Sequence, residues 1–246
     1  ASEALFRKAM IDIRAERYSA AEVALSEAVK CDEERNDPQM ASRMAEMNYW
    51  RGVCAVKTGH EKKALEFLSS ALKGALPLDQ NLEARILIAD IEYNAGRYAE
   101  AKKRYGALVA EDAGKRMSAE KILHVARFLM EDKYSKPDVA NAMLAAKCLE
   151  KAASGVQWKQ QAKFVVGMGE ERRGNSAAAI EAYKAGFAYP TRTELSKSAA
   201  FSLGSLLRKN CEADLADKYL SYAIELNADN PPLRAKAYLE LAENSL

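Results

Sequence analysis

The chain has 246 residues, 49% of them hydrophobic, with 37 basic residues against 35 acidic ones and a formal net charge of +2. That is ample apolar material for a continuous core, and its short runs, broken by charge, exclude a transmembrane span. Balanced charge without a block of one sign argues against a general nucleic-acid binder, which needs a basic stripe to displace counterions.

Taken in chain order, helix punctuation divides the sequence into hairpin-sized units at about 2–35, 39–77, 79–113, 118–154, 157–189 and 193–229, with a terminal helix at 232–245. Asn36-Asp37-Pro38 opens a long helix over 39–58, and Pro77 with Asp79 opens the third unit. Gly114 closes a helix and Ser118 caps the next. In the fourth unit the turn runs long through Tyr134 to Asp138, and Gly155 separates that unit from the fifth. Pro190 ends the fifth, and Thr191-x-x-Glu194 has the pattern of a capping box. Asn230-Pro231-Pro232 starts the last helix. No stretch alternates with period two, so essentially no strand is expected.

One six-residue phrase recurs in a fixed setting: Glu16–Ala21, Gly59–Ala64, Gly96–Ala101, Gly174–Ala179 and Cys211–Ala216. Seven positions before it stands a small residue: Ala9, Gly52, Ala89, Gly167 or Gly204. Four after its terminal Ala comes a bulky one: Leu25, Leu68, Tyr105, Tyr183 or Leu220. Three further on is Ala28, Ala71, Leu108, Gly186 or Ala223. Steps of four and three place residues on one helix face. The upstream small residue lies on the preceding helix, where it lets the two helices approach. The phrases start at 16, 59, 96, 174 and 211, giving steps of 43, 37, 78 and 37. The step of 78 hides one unit, placed at 118–153 with Ala126, Ala145, Leu149 and Ala152 in the repeating positions.

The pattern resembles the tetratricopeptide repeat, with its small residue in helix A, Gly turn, and Ala, bulky and Ala positions in helix B. The match is full in 48–73, 85–108, 163–187 and 200–226, whereas 5–29 carries Glu16 in place of the turn glycine. The steps also exceed the usual period of about 34. The resemblance implies an all-α, right-handed α-α superhelix of about six hairpins plus a C-terminal helix, forming a single solenoid over 1–246. The last unit begins without a partner helix, and the chain starts at Ala1. It reads either as a capped array or as a fragment or processed form of something longer.

No catalytic constellation is visible. His60 falls in a turn and His124 in another unit's helix, and the cysteines at 31, 54, 148 and 211 have no metal-ligand spacing. Free thiols lean towards a reducing compartment, weakly cytoplasmic, with a periplasmic or envelope setting left open. No phosphate loop occurs, and Gly167-Met168-Gly169 is explained by close helix packing. Adjacent carboxylates such as Glu170-Glu171 point about 100° apart on a helix. Trp50 and Trp158 read as packing residues. No enzyme activity, cofactor or metal is expected.

In the tetratricopeptide family helix A lines a concave groove. Carried over by register, the resemblance puts Phe6 and Met10, Tyr49 and Val53, Ile86 and Asp90, Leu123 and Arg127, Phe164 and Met168, Phe201 and Ser205 on that groove. Arg14, Lys57, Asn94, Glu131, Arg172 and Lys209 follow along its far edge. Two readings stay open. The groove holds a peptide or protein segment by apolar anchors with cations at the margin, or these residues pack between repeats and the cations are solvated. The Lys and Asn clamp of chaperone-binding members is absent, since Phe6, Met10, Tyr49 and Val53 hold those slots.

The expected role is therefore a non-catalytic protein-interaction scaffold or adaptor, closer to bacterial members of the family. The alternative is a sensor or assembly domain cut from a larger bacterial regulator or cell-envelope protein. RNA binding is not expected, because the equivalent slots are mixed and often apolar. An apolar end face could drive homo-oligomers.

Overall fold

In the computed structural model, the described residues are 1–33, 41–111, 117–133, 135–152 and 154–244. They are all-α, as the repeat pattern predicts. Thirteen helices follow in order: α1 (Ser2–Arg14), α2 (Tyr18–Glu33), α3 (Ala41–Lys57), α4 (Glu61–Ala71), α5 (Leu78–Asn94), α6 (Tyr98–Ala110), α7 (Ala119–Met130), α8 (Val139–Ala152), α9 (Val156–Arg172), α10 (Ser176–Phe187), α11 (Glu194–Lys209), α12 (Ala213–Leu226) and α13 (Pro231–Asn244). The expected openings at Asn36-Asp37-Pro38 and Gly114 lie outside the described residues, as does Tyr134 in the fourth unit's long turn.

Each recurring phrase builds the same turn. Its first residue takes a positive φ in all five copies: 76° at Gly59 and Gly96, 79° at Gly174, but also 58° at Glu16 and 61° at Cys211. Around each, two backbone bonds repeat. The first residue's N–H donates to the carbonyl three residues back, as Gly59 does to Val56 and Cys211 does to Arg208. The next residue's N–H donates five back, as Arg17 does to Asp12, His60 to Ala55 and Arg97 to Glu92. This is a Schellman closure of helix A. The same second residue then caps helix B. Its carbonyl accepts from the phrase's terminal Ala, as Arg17 does from Ala21 and Asn175 does from Ala179. One phrase thus ends one helix, reverses the chain and starts the next.

The small and bulky positions meet across each hairpin. A Cβ added at Gly52 would lie 2.5 Å from Leu68, one at Gly167 would lie 2.6 Å from the Tyr183 ring, and one at Gly204 would lie 2.7 Å from Leu220. Ala9, Ala89 and Ala126 occupy the same place and are fully buried. The last small position meets helix A as well: a Cβ at Gly186 would strike Phe164.

Three further start signals fall as expected. Ser118 Oγ accepts from Lys121 N–H at 3.2 Å, Gly155 is the N-cap of α9, and Asn230 Oδ1 accepts from Leu233 N–H at 3.3 Å. One differs. The capping box at α11 is Thr193 with Ser196, not Thr191 with Glu194. The loop after Pro190 runs two residues further because buried Gln160 holds it. Gln160 Nε2 donates to the Thr191 carbonyl at 2.7 Å, and Thr193 Oγ1 donates to Gln160 Oε1 at 3.1 Å.

The chain forms two compact units, Ala1–Leu108 and Val109–Leu246. In the first, α1 pairs with α2 and α3 with α4, and α3 also touches α5. The α5–α6 pair is tied by Arg104 to Glu92 at 2.7 Å and by Tyr93 packing edge-on against Tyr98. In the second, the pairs are α7/α8, α9/α10 and α11/α12, with α13 against α12. There α9 also touches α7 and α11, and α11 touches α13, so the first helices of successive hairpins form a layer.

Candidate functional site

The helix A positions divide by burial. In the first unit Phe6, Met10, Val53, Ile86 and Asp90 are half-buried, whereas Arg14, Lys57 and Asn94 are exposed. In the second, Met168, Phe201 and Ser205 are half-buried, and Arg127, Glu131, Arg172 and Lys209 are exposed. Tyr49 and Phe164 are 1% and 0% exposed and Leu123 is 8% exposed, so these three are core residues rather than groove anchors.

The cover differs between them: Tyr49 faces α5 of the neighbouring hairpin, whereas Phe164 is covered by α10 of its own hairpin. Tyr49 packs with Ala84, Ile88 and Ile91 of α5, and its hydroxyl donates to Glu83 Oε2 at 2.7 Å. Phe164 lies beneath Gly186, with its ring 4.8 Å from that of Phe187. Phe6 and Val53 also pack against the cores of the first unit. Asp90 accepts a hydrogen bond from the buried Tyr105 hydroxyl.

Tyr49, Tyr105 and Tyr183 form a set. Each is buried, and each donates to a carboxylate: Glu83, Asp90 and Glu171. Burial first, and then the neighbouring carboxylate, push all three phenols above their ordinary value. These hydrogen bonds satisfy the buried hydroxyls.

The basic margin has a second physical origin. Arg14, Lys57, Arg172 and Lys209 are the last residues of α1, α3, α9 and α11. A cation there offsets the negative end of the helix dipole. Arg14, Lys57 and Lys209 have no ion-pair partner among the described residues.

His60 is exposed and bonded to Thr58 at 2.9 Å, and His124 is exposed on α7. Cys54 is buried, Cys31 and Cys148 are half-buried and Cys211 is exposed. Burial raises the Cys54 thiol to about 11. Among the described residues no group of three or more His, Cys, Asp or Glu is placed to hold a metal. No helix there is long and apolar enough to cross a membrane.

One concavity was missed by the helix A register. It has a volume of about 390 Å³ and lies between α10, α12 and the loop leading to α11. Phe187, Tyr219 and Tyr222 form its aromatic wall, and Arg192 and Lys218 its charged rim. Sequence offered a faint signal, an aromatic beside a cation in both Tyr189-Pro190-Thr191-Arg192 and Lys218-Tyr219.

The geometry defines the class of fold, a tetratricopeptide-like array of helical hairpins. No family model matches the chain, and no curated protein matches it. Solved structures show the fold. MamA protein is 18% identical with a TM-score of 0.52, covering 77% of this chain and 94% of its own. A tetratricopeptide repeat protein from Parabacteroides merdae ATCC 43184 is 14% identical with a TM-score of 0.51, covering 98% of each. The structure of Naa15/Naa10 bound to HypK-THB matches at 16% identity and a TM-score of 0.57, over 98% of this chain and 35% of that one.

Proposed function

We propose that this protein is a non-catalytic interaction scaffold that binds a protein or peptide segment on the helix A layer of its hairpins. The observation that carries the reading is the pairing, on a single helix, of a half-exposed adaptable side chain with a cation at the helix C-terminus. Met10 stands near Arg14 on α1, and Met168 near Arg172 on α9, in each case one turn apart. Methionine adapts to irregular partners, and the cations meet acidic groups. The fold shared with proteins solved in complexes, such as Naa15/Naa10 with HypK, supports a role in assembly. A stiff scaffold binds well because it loses little freedom on association.

The test is affinity capture with the chain as bait, beside a Met168→Glu/Lys209→Glu variant. Both positions lie outside the buried core, so helical content should be unchanged. Loss of a captured partner in the variant supports the helix A layer as the site. Equal capture by both proteins refutes it.

A further inference from the structure

We propose that the cleft between α10 and α12 is a second binding site, on the helix B side, for an acidic peptide segment carrying an apolar side chain. Its lining comes from α10, α12 and the 188–193 loop, and none from α9 or α11. It is therefore separate from the layer invoked for scaffold binding, and the inference does not rest on that reading.

The site is built rather than incidental. Phe187 lies at its base, with ring centroids 5.3 Å from Tyr219 and 5.9 Å from Tyr222. Behind it, Phe164 is fully buried at 4.8 Å from Phe187, fixing that ring from the core side. The facing loop is held by Gln160, whose side chain is completely buried. Its Nε2 donates to the carbonyls of Gly186, Tyr189 and Thr191 at 3.4, 3.4 and 2.7 Å. Both walls are thus set before any ligand arrives.

Charge selects the occupant. The Arg192 guanidinium lies 5.6 Å from the Tyr222 ring centroid and the Lys218 ammonium 5.8 Å from that of Tyr219. Both side chains are exposed, and neither has an ion-pair partner among the described residues. No Asp or Glu lines the cleft. Two unpaired cations beside an aromatic wall fit carboxylates flanking an apolar or aromatic side chain. A protein segment is favoured over nucleic acid. Two cations are few for a phosphate backbone, and the chain's net charge is only +2.

The test uses a displayed library of random 12-residue peptides selected on the intact chain. Selection runs in parallel on Arg192→Gln/Lys218→Gln, on Tyr222→Ala, and on the helix A variant Met168→Glu/Lys209→Glu. Arg192 and Lys218 are exposed, so the first variant keeps the fold, and circular dichroism verifies it. The expected result is enrichment of Asp or Glu beside Leu, Phe or Trp on the wild type and the helix A variant, but not on the charge variant. The leading peptide should bind the charge variant at least tenfold more weakly. It should bind the wild type more weakly as salt is raised. Acidic-apolar peptides that are not enriched, or are enriched equally on the charge variant, overturn the proposal. So does labelled poly(U) that displaces the selected peptide and itself loses binding in the charge variant. Loss in the helix A variant alone refers the peptides to the other surface.

Discussion

Glu16 and Cys211 occupy a backbone conformation that side chains with a Cβ disfavour. Each stands where the other three copies of the turn have glycine, and each takes the same left-handed φ because the surrounding hydrogen bonds leave no other closure. A non-glycine residue there costs roughly 1–2 kcal/mol. Glu16→Gly and Cys211→Gly should therefore each stabilise the protein by about 1 kcal/mol, after the added freedom of the unfolded chain is allowed for. Gly59→Ala, Gly96→Ala and Gly174→Ala should destabilise by about 1 kcal/mol each. Urea midpoints at constant m-value measure all five. The cysteines give a second check at this scale. In the folded protein a maleimide should modify exposed Cys211 readily and leave Cys54 intact, since Cys54 is buried and its thiol is raised to about 11. Mass spectrometry of the labelled peptides would read the difference.

At the scale of the element, the hairpin depends on a small residue facing a large one. Gly167→Leu would press its side chain into the Tyr183 ring, where even a Cβ sits at 2.6 Å. It should lower stability by at least 1–3 kcal/mol, and thermal unfolding would measure it. A neutral result would break the pairing of α9 with α10. This interior was legible in sequence because small and large side chains recur at fixed distance from the turn. Two things were not legible. Tyr49 is covered by α5 of the next hairpin, about which intra-hairpin spacing carries no information, and Phe164 is covered by Gly186 and Phe187 of α10, a contact that the groove register leaves out. Tyr49→Ala and Phe164→Ala therefore test the core, with losses of about 3–5 kcal/mol, rather than binding. The α10–α12 cleft escaped because its walls come from two hairpins and a loop whose path is set by one buried glutamine. That path also moved the α11 capping box from Thr191 to Thr193.

For the whole molecule, the three buried tyrosines determine behaviour in alkali. Unfolded tyrosine releases its proton near pH 10. Tyr49, Tyr105 and Tyr183 hold theirs to higher pH in the folded state, because of burial and then their carboxylate neighbours. The native state thus binds more protons than the unfolded state above pH 10. Stability from these groups is complete below pH 10 and falls as the pH rises, by up to about 4 kcal/mol per pH unit for the three. Tyr183→Phe should remove about a third of that slope. Denaturant titrations between pH 9 and 11 would show it, and an unchanged slope would mean that Tyr183 titrates in the native state.

The pairs that lock the hairpins, Gly52 with Leu68, Gly167 with Tyr183 and Gly204 with Leu220, all join residues 16 apart in sequence. The turns between them close over five residues. Contacts this local require little chain to be gathered before they form, so the search for them is short. A hairpin can close as soon as its second helix has left the ribosome, without waiting for the rest of the polypeptide. Refolding from urea should accordingly be rapid, and synthesis and folding can proceed together, one hairpin at a time.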